Sequence, residues 1–189
     1  STASVAENQT SAIDVNHSDA DSDTITYTLS GGADSALFNI NSGTGVVTFK
    51  AAPNFESAGD ANGGNDYVIE VTATDDGTGT LTATQTITIT VTDANDAPAI
   101  TSASTASVAE NQTAAIDVNH SDADGDTITY TLSGGADSAL FNINATTGVV
   151  TFKAAPNFES AGDANGDNDY VVEVTATDDG TGTLTATQT

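Results

Sequence analysis

The chain has 189 residues but no cysteine, methionine or tryptophan, three prolines, and only two basic side chains, Lys50 and Lys153. Without cysteine no disulfide can brace it, and a domain that works outside the cell then needs another staple. Two lysines against 27 acidic residues, a formal charge of −25, exclude generic binding to nucleic acid or to an anionic membrane, both of which need clustered Lys and Arg. Cations are the natural partners of such a chain. No apolar run approaches the roughly 20 residues of a membrane span, so membrane insertion is not expected. The opening STASVAENQT lacks the basic-then-apolar pattern of a signal peptide, as expected of a segment from inside a longer protein. No serine sits in a nucleophile-like elbow and no glycine loop is built to cradle phosphate, so no enzyme is expected.

What is present is repetition. Aligning Ser1 with Ser104 gives a period of 103 residues, and residues 1–86 differ from 104–189 at six positions: Ser11/Ala114, Ser22/Gly125, Ser42/Ala145, Gly43/Thr146, Gly64/Asp167 and Ile69/Val172. A module that recognises one target has little use for a copy beside it, whereas a spacer gains length with each copy. Two domains are expected, 1–97 and 98–189, each large enough for its own core.

Within a repeat the apolar residues alternate with period two, the mark of half-buried strands. Val5 marks a first strand, Ile13 and Val15 a second, and Ile25, Tyr27 and Leu29 a third. Phe38 and Ile40 lead through the turn NSGTG to Val47 and Phe49, the fourth and fifth, and Tyr67, Ile69, Val71 and Ala73 make the sixth. The seventh has Leu81, Ala83, Ile87, Ile89 and Val91 on one face and threonines on the other. All four tyrosines, Tyr27, Tyr67, Tyr130 and Tyr170, fall on inward positions. No window has a helical period. The fold predicted is all-β: two tandem seven-stranded immunoglobulin-like sandwiches, end to end.

The second repeat stops at Thr189, the counterpart of Thr86, and so lacks counterparts of Ile87, Ile89 and Val91. Leaving those three out forgoes about 1.5–3 kcal/mol of burial each and exposes a strand edge. The last strand of the second repeat is therefore expected to be incomplete, its missing part cut away, unseen, or replaced by a neighbour's segment.

The stretch that occurs once is Asp93-Ala94-Asn95-Asp96-Ala97-Pro98, between the two copies. Three side chains with oxygen ligands in four residues, closed by a proline without an amide hydrogen, make a turn and not a strand interior. Other acidic clusters flank it in a fixed order. Glu7-Asn8 follows the first strand, Asp19-Ala20-Asp21 precedes TITYTL, then come the FNIN…TGVVTF hairpin, Asn54-Phe55-Glu56, VTATDDG around Asp75, and DANDAP. This is the order of the motifs of cadherin repeats, and the chain resembles them over the whole repeat. In its Thr-rich, Lys-poor, near-identical copies it is most similar to the cadherin-like extender repeats of large bacterial repeats-in-toxin adhesins, exported by type I secretion.

The resemblance implies calcium, two or three ions, at the joint between the repeats. It assigns Glu7, Asn54, Glu56, Asp93, the Ala94 carbonyl and Asp96 to the first repeat's contribution. Asn95 and the Ala97 carbonyl reach toward the second repeat, which supplies Asp122, Asp124 and Asp178, with Asp124 bridging two ions. Asp19, Asp21 and Asp75 at one end, and Glu110, Asn157 and Glu159 at the other, are implied half-sites for adjacent repeats. Calcium takes six to eight oxygens at about 2.3–2.6 Å, so one site needs several loops to converge. Seven carboxylates converging without a cation would repel one another. The implied role is a calcium-stiffened, monomeric rod on the bacterial cell surface, with calcium and adjacent repeats of the same polypeptide as partners.

A further candidate is the loop GDANGGNDY (59–67), repeated as GDANGDNDY (162–170). Asp60, Asn62 and Asp66 in the first copy, and Asp163, Asn165, Asp167 and Asp169 in the second, faintly resemble the start of an EF-hand loop, without its bidentate Glu at the twelfth position. The plain alternative is a Gly/Asn/Asp turn. The acidity as a whole could also be a solvated surface, which explains the charge but not the order of the motifs. His17 and His120 are expected to pack or hydrogen-bond, since one His per repeat and no Cys make a poor zinc site. Rival roles are a module that adheres directly to carbohydrate or to another repeat, and an ice-binding threonine ladder. The first needs exposed aromatic anchors and the second a flat array.

Overall fold

The computed structural model describes residues 1–189, which divide into two compact units, Ser1–Ala94 and Asn95–Thr189. The division falls three residues before the boundary drawn from the sequence, inside DANDAP. Each unit is all-β apart from one short 3-10 turn, Ser35–Leu37 or Ser138–Leu140.

Seven strands build the first unit: β1 (Thr2–Ala6), β2 (Ser11–Asp14), β3 (Ile25–Gly31), β4 (Phe38–Ile40), β5 (Val46–Phe49), β6 (Asp66–Asp75) and β7 (Thr82–Thr92). They form a four-stranded sheet in the order β1-β7-β6-β3 and a three-stranded sheet in the order β2-β5-β4. β7 pairs antiparallel with β6 along most of its length and parallel with β1, with Thr2 opposite Thr88 and Ala6 opposite Thr92. The inward residues of both sheets make one core. Tyr67, Ile69, Val71, Ile87, Ile89 and Val91 come from one sheet and Ala12, Phe38, Val47 and Phe49 from the other. Phe38, Phe49 and Tyr67 meet with centroids 4.4–6.0 Å apart, the two contacts to Tyr67 edge-to-face.

The turn between β4 and β5 shows why this sequence bends where it does. Asn41 Oδ1 accepts the amides of Gly43 and Thr44, an Asx turn, and Gly45 follows at φ +77°. A Cβ on Gly45 would lie 2.4 Å from the Val15 carbonyl oxygen, so only glycine closes this hairpin against the neighbouring loop.

The second unit contains β8 (Ala99–Ile100), β9 (Ala114–Asp117), β10 (His120–Ser121), β11 (Thr129–Gly134), β12 (Phe141–Ile143), β13 (Val149–Phe152), β14 (Glu173–Thr177) and β15 (Thr185–Gln188). Its sheets run β12-β13-β9 and β11-β14-β15, with β8 paired to β10. Two local differences from the first unit stand out. Residues 105–109, the counterpart of β1, form no strand, whereas Thr2–Ala6 pair parallel with Thr88–Thr92 in the first unit. β14 is also half as long as β6: 169–172 fall outside it, and β15 ends at Gln188 opposite Val174.

Two expectations need correction. Leu81 was placed on the inward face of the seventh strand, but it precedes β7 and is 70 % exposed, and Ala83 is exposed too. This end of β7 extends past the opposing sheet, which leaves period-two apolar residues with nothing to pack on. Tyr27, Tyr67 and Tyr130 are buried as expected, whereas Tyr170 is only half-buried.

Candidate metal centre

Each unit brings one group of three carboxylates together. In the first these are Glu7, Glu56 and Asp93, with an oxygen of each within 4.8 Å of the others. Glu7 directly follows β1 and is buried. Its Oε2 accepts the Phe55 amide at 2.7 Å and its Oε1 the Ala94 amide at 3.0 Å, which ties the Asn54-Phe55-Glu56 loop and the end of the unit to one side chain. Asn54 Oδ1, one residue from that bond, is buried with no hydrogen-bond partner.

In the second unit the group is Asp122, Asp124 and Asp126. Asp122 Oδ1 accepts the Asp126 amide at 3.0 Å and Asp124 Oδ2 the Asp96 amide at 2.7 Å. Asp178, buried at the end of β14, takes the amides of Gly180 and Leu184 on Oδ1 and the Asn95 side-chain amide on Oδ2. Burial raises the Asp126 pKa above its usual value, and the charges of Asp122, Asp179, Asp124 and Asp178 raise it further. Asp126 was not among the residues singled out from the sequence. Asp122, Asp124 and Asp126 alternate in the sequence, and that spacing extends the acidic pair by one ligand.

Two family descriptions match the chain: bacterial Ig domain over residues 95–189 and cadherin domain over residues 1–92. The chain belongs to the bacterial Ig domain family. Because its halves differ at only six of 86 aligned positions, both descriptions fall on the same repeat, and the chain is a pair of cadherin-like tandem repeats. It is similar in fold to mouse cadherin-23 EC22-24, with a TM-score of 0.54 and 22 % identity over 99 % of this chain and 61 % of that one. It is also similar to human protocadherin-24 EC1-2, with a TM-score of 0.57 and 19 % identity over all of this chain and 89 % of that one. The chain thus spans about six-tenths of the cadherin-23 fragment. No curated protein sequence matches it significantly. No helix is long and apolar enough to cross a membrane.

Cadherin domains generally bind calcium at the linkers between them, and the Ig-family chain carries acidic clusters at the ends of its units. Three observations test whether these residues fit such an ion. Asp122 Oδ2 and Asp126 Oδ2 are buried without a hydrogen-bond partner, and a buried carboxylate oxygen in that state is costly unless a cation or proton satisfies it. Next, Asn95 Oδ1 and Asp126 Oδ2 crowd against Gly180: a Cβ there would lie 1.9 and 2.1 Å from them, so only a residue without a side chain lets these two acceptors come this close together. Finally, all the donors are oxygens, which suits calcium and not a thiolate- or imidazole-seeking metal. The residues fit.

The remaining candidates lie elsewhere. Asp19 Oδ1 accepts the amides of Asp21 and Asp23, and the Asp23 amide is the main cause of its lowered pKa. Asp23, the counterpart of Asp126, is raised by burial and then by Asp19, Asp75 and Asp76. At the other end Glu110 accepts the Phe158 amide and Asn157 Oδ1 the Glu159 amide. In the loops at 59–67 and 162–170 the carboxylates organise the turn. Asp60 takes the amides of Asn62, Gly64 and Asn65, and Asp163 those of Gly166, Asp167 and Asn168. Asp66 accepts the Thr90 hydroxyl, and Asp167 accepts the Asn165 amide and the Asp169 backbone. His17 and His120 meet the hydroxyls of Tyr27 and Tyr130 through Nδ1.

Proposed function

We propose that this chain is an extracellular spacer whose repeats are stiffened by calcium, part of a stalk that projects an adhesive domain from a bacterial surface. The observation that carries the reading is the pair of buried, unpartnered oxygens on Asp122 and Asp126, which a cation would satisfy. Glu7, Glu56 and Asp93, with Asn54, would hold calcium in the first unit. Asp122, Asp124 and Asp126, with Asn95 and Asp178, would hold it in the second. Asp93 belongs to one set and Asn95 to the other, and a single residue separates them in the chain. Ions bound to both sets would therefore fix the backbone of the linker between them, with the Ala94 and Ala97 carbonyls and Asp96 within the same short stretch. Asp19, Asp21, Asp23 and Asp75, and at the far end Glu110, Asn157 and Glu159, would serve neighbouring repeats.

Calcium supplies the charge that lets the carboxylates crowd. The protein's own residues set where it sits and which backbone segments it ties. Extracellular calcium modules bind at about 10⁻⁴–10⁻³ M, so the joint would be loose in a low-calcium cytosol and firm outside. Small-angle scattering and thermal melting of the chain, with calcium and then with a chelator, test this. A shorter maximum dimension and a lower Tm after chelation are expected, and an unchanged pair of values would sink the reading. Specific binding of an isolated repeat to glycans would point to direct adhesion instead.

A further inference from the structure

The loops at 59–67 and 162–170 carry a chemistry that calcium binding does not use. Of all the asparagines only Asn62 and Asn165 precede a glycine. In an Asn-Gly pair the backbone amide of the second residue can attack the side chain of the first, because glycine has no Cβ to hinder the approach. The reaction balances with water alone. The Gly63 nitrogen gives its proton to hydroxide and bonds to Asn62 Cγ, the Cγ–Nδ2 bond breaks, and ammonia departs with a proton from water, leaving a five-membered succinimide. Water then opens the ring at either carbonyl to give aspartate or isoaspartate at 62. One water enters and one ammonia leaves, with no redox partner.

The first loop sets these atoms up. Asn62, Gly63 and Gly64 are exposed, and nothing lies within 4 Å of the place a Cβ of Gly63 would take. The Asn62 side chain folds along the backbone that follows it: a Cβ on Gly64 would lie 2.7 Å from its Oδ1 and 3.8 Å from its Cγ. The Asp60 carboxylate holds the amides of Asn62, Gly64 and Asn65, whereas the Gly63 amide meets the neutral Asp60 carbonyl at 3.3 Å. The attacking nitrogen is thus the one of these amides bound to no anion. The second loop differs at one residue, Asp167 in place of Gly64. Asp167 Oδ2 accepts the Asn165 side-chain amide at 2.8 Å, and Asp163 Oδ2 accepts the Gly166 amide at 2.6 Å. Both reacting groups are held by carboxylates there, and an N–H facing an anion gives up its proton less readily.

We infer that Asn62-Gly63 is a site of spontaneous deamidation in the folded protein, and that the residue at 64 or 167 sets the rate: glycine leaves Asn62 free to react, and aspartate holds Asn165 back. Each event adds one negative charge to a chain that carries −25. The isoaspartate product also inserts a methylene into the backbone between Asp60 and the Gly64 and Asn65 amides that its carboxylate holds, in a loop that Asp34 anchors through the Ala61 amide at 2.7 Å. This turn loosens with age in one repeat and keeps its form in the near-identical other.

The test incubates the whole chain at neutral and at mildly alkaline pH and follows both loops by peptide mapping with mass spectrometry, with isoaspartate counted by isoaspartyl methyltransferase labelling. Deamidation at 62 should outpace that at 165 by about tenfold, the scale of one charge-assisted hydrogen bond, and both rates should rise with pH. Gly64→Asp should slow Asn62 toward the rate of Asn165, and Asp167→Gly should speed Asn165. The backbone of Gly64 lies outside the left-handed region, so the first exchange brings no conformational strain. In denaturant the two rates should converge, because the difference belongs to the folded loops. Equal rates in the native chain, an unslowed Asn62 in the Gly64→Asp variant, an unchanged Asn165 in the Asp167→Gly variant, or a difference that persists in denaturant would each overturn the assignment.

Discussion

Replacing Gly180 by Ala should separate the proposed calcium binding from folding. The backbone of Gly180 is outside the left-handed region, so alanine meets no conformational strain there. Its Cβ would lie 1.9 Å from Asn95 Oδ1 and 2.1 Å from Asp126 Oδ2, and ordinary van der Waals contact begins near 3.4 Å. Both oxygens must retreat by more than about 1 Å, several times the tolerance of a calcium–oxygen bond held at about 2.3–2.6 Å. Without metal that retreat also separates two acceptors, so the metal-free Tm should hardly change. With metal, a site that loses the placement of two ligands is expected to weaken about tenfold or more. At calcium ten times the parent Kd, binding stabilises by about 1.4 kcal/mol, and a tenfold loss leaves about 0.4 kcal/mol. At about 4–8 °C per kcal/mol for a domain of this size, the calcium-induced rise in Tm should fall from about 6–11 °C to about 2–3 °C. Differential scanning fluorimetry with calcium and with a chelator reads both values. A Gly180→Ala chain that keeps the full calcium response would refute the proposal that Asn95 and Asp126 are ligands.

Asp124→Ala should weaken calcium binding by isothermal titration while leaving both sandwiches folded by circular dichroism; unaltered affinity would remove Asp124 from the site. Ile69→Ala empties a fully buried position and should cost about 2–5 kcal/mol in the first unit, whereas Val172→Ala, at the half-buried counterpart, should cost clearly less, as measured by chemical denaturation. Asp34 is buried and accepts the amides of Ala61 and Val68 at 2.7 Å each, so Asp34→Asn, which sets a donor against a donor, should destabilise the first unit by about 1–3 kcal/mol in the same assay. Burial alone would raise the pKa values of Asp60 and Asp163, but the backbone amides of their loops outweigh it and hold both below 3.8. A carboxylate depressed in the folded state stabilises it fully above its unfolded pKa, and that contribution disappears as pH falls through the folded one. Melting between about pH 5 and about pH 2 should therefore steepen below about pH 4, and Asp60→Asn with Asp163→Asn should flatten the slope.

The strands were legible wherever both sheets reach. Tyr27, Phe38, Val47, Phe49, Tyr67, Ile69, Ile87, Ile89 and Val91 alternate in sequence because they alternate across a sandwich, and they form its core. Leu81 keeps the same period but lies past the opposing sheet, and periodicity carries no information about where a sheet ends. Residues 105–109 repeat residues 2–6 without change yet form no strand, so local sequence alone does not decide strand formation there. Of the candidate ligands, the structure groups Glu7, Glu56 and Asp93, and separately Asp122 and Asp124. Asp126, the third of the alternating acids at 122, 124 and 126, joins them because the turn after Asp122 folds back, its amide bonding to the Asp122 carboxylate. Asp60 and Asp163 resembled ligands by composition. Only the geometry shows their oxygens turned to their own loops.

The parallel pairing of β1 with β7 has a mechanical consequence. Five residues at the start of the first unit lie beside five near its end, running the same way. Tension applied between the two ends of that unit draws β1 and β7 past one another along their length, so the rungs between them share the load and must fail together instead of opening one after another. A forced transition of that kind is governed by its rate of rupture and not by equilibrium stability. A repeat of modest thermodynamic stability can therefore be a strong link in a chain under pull.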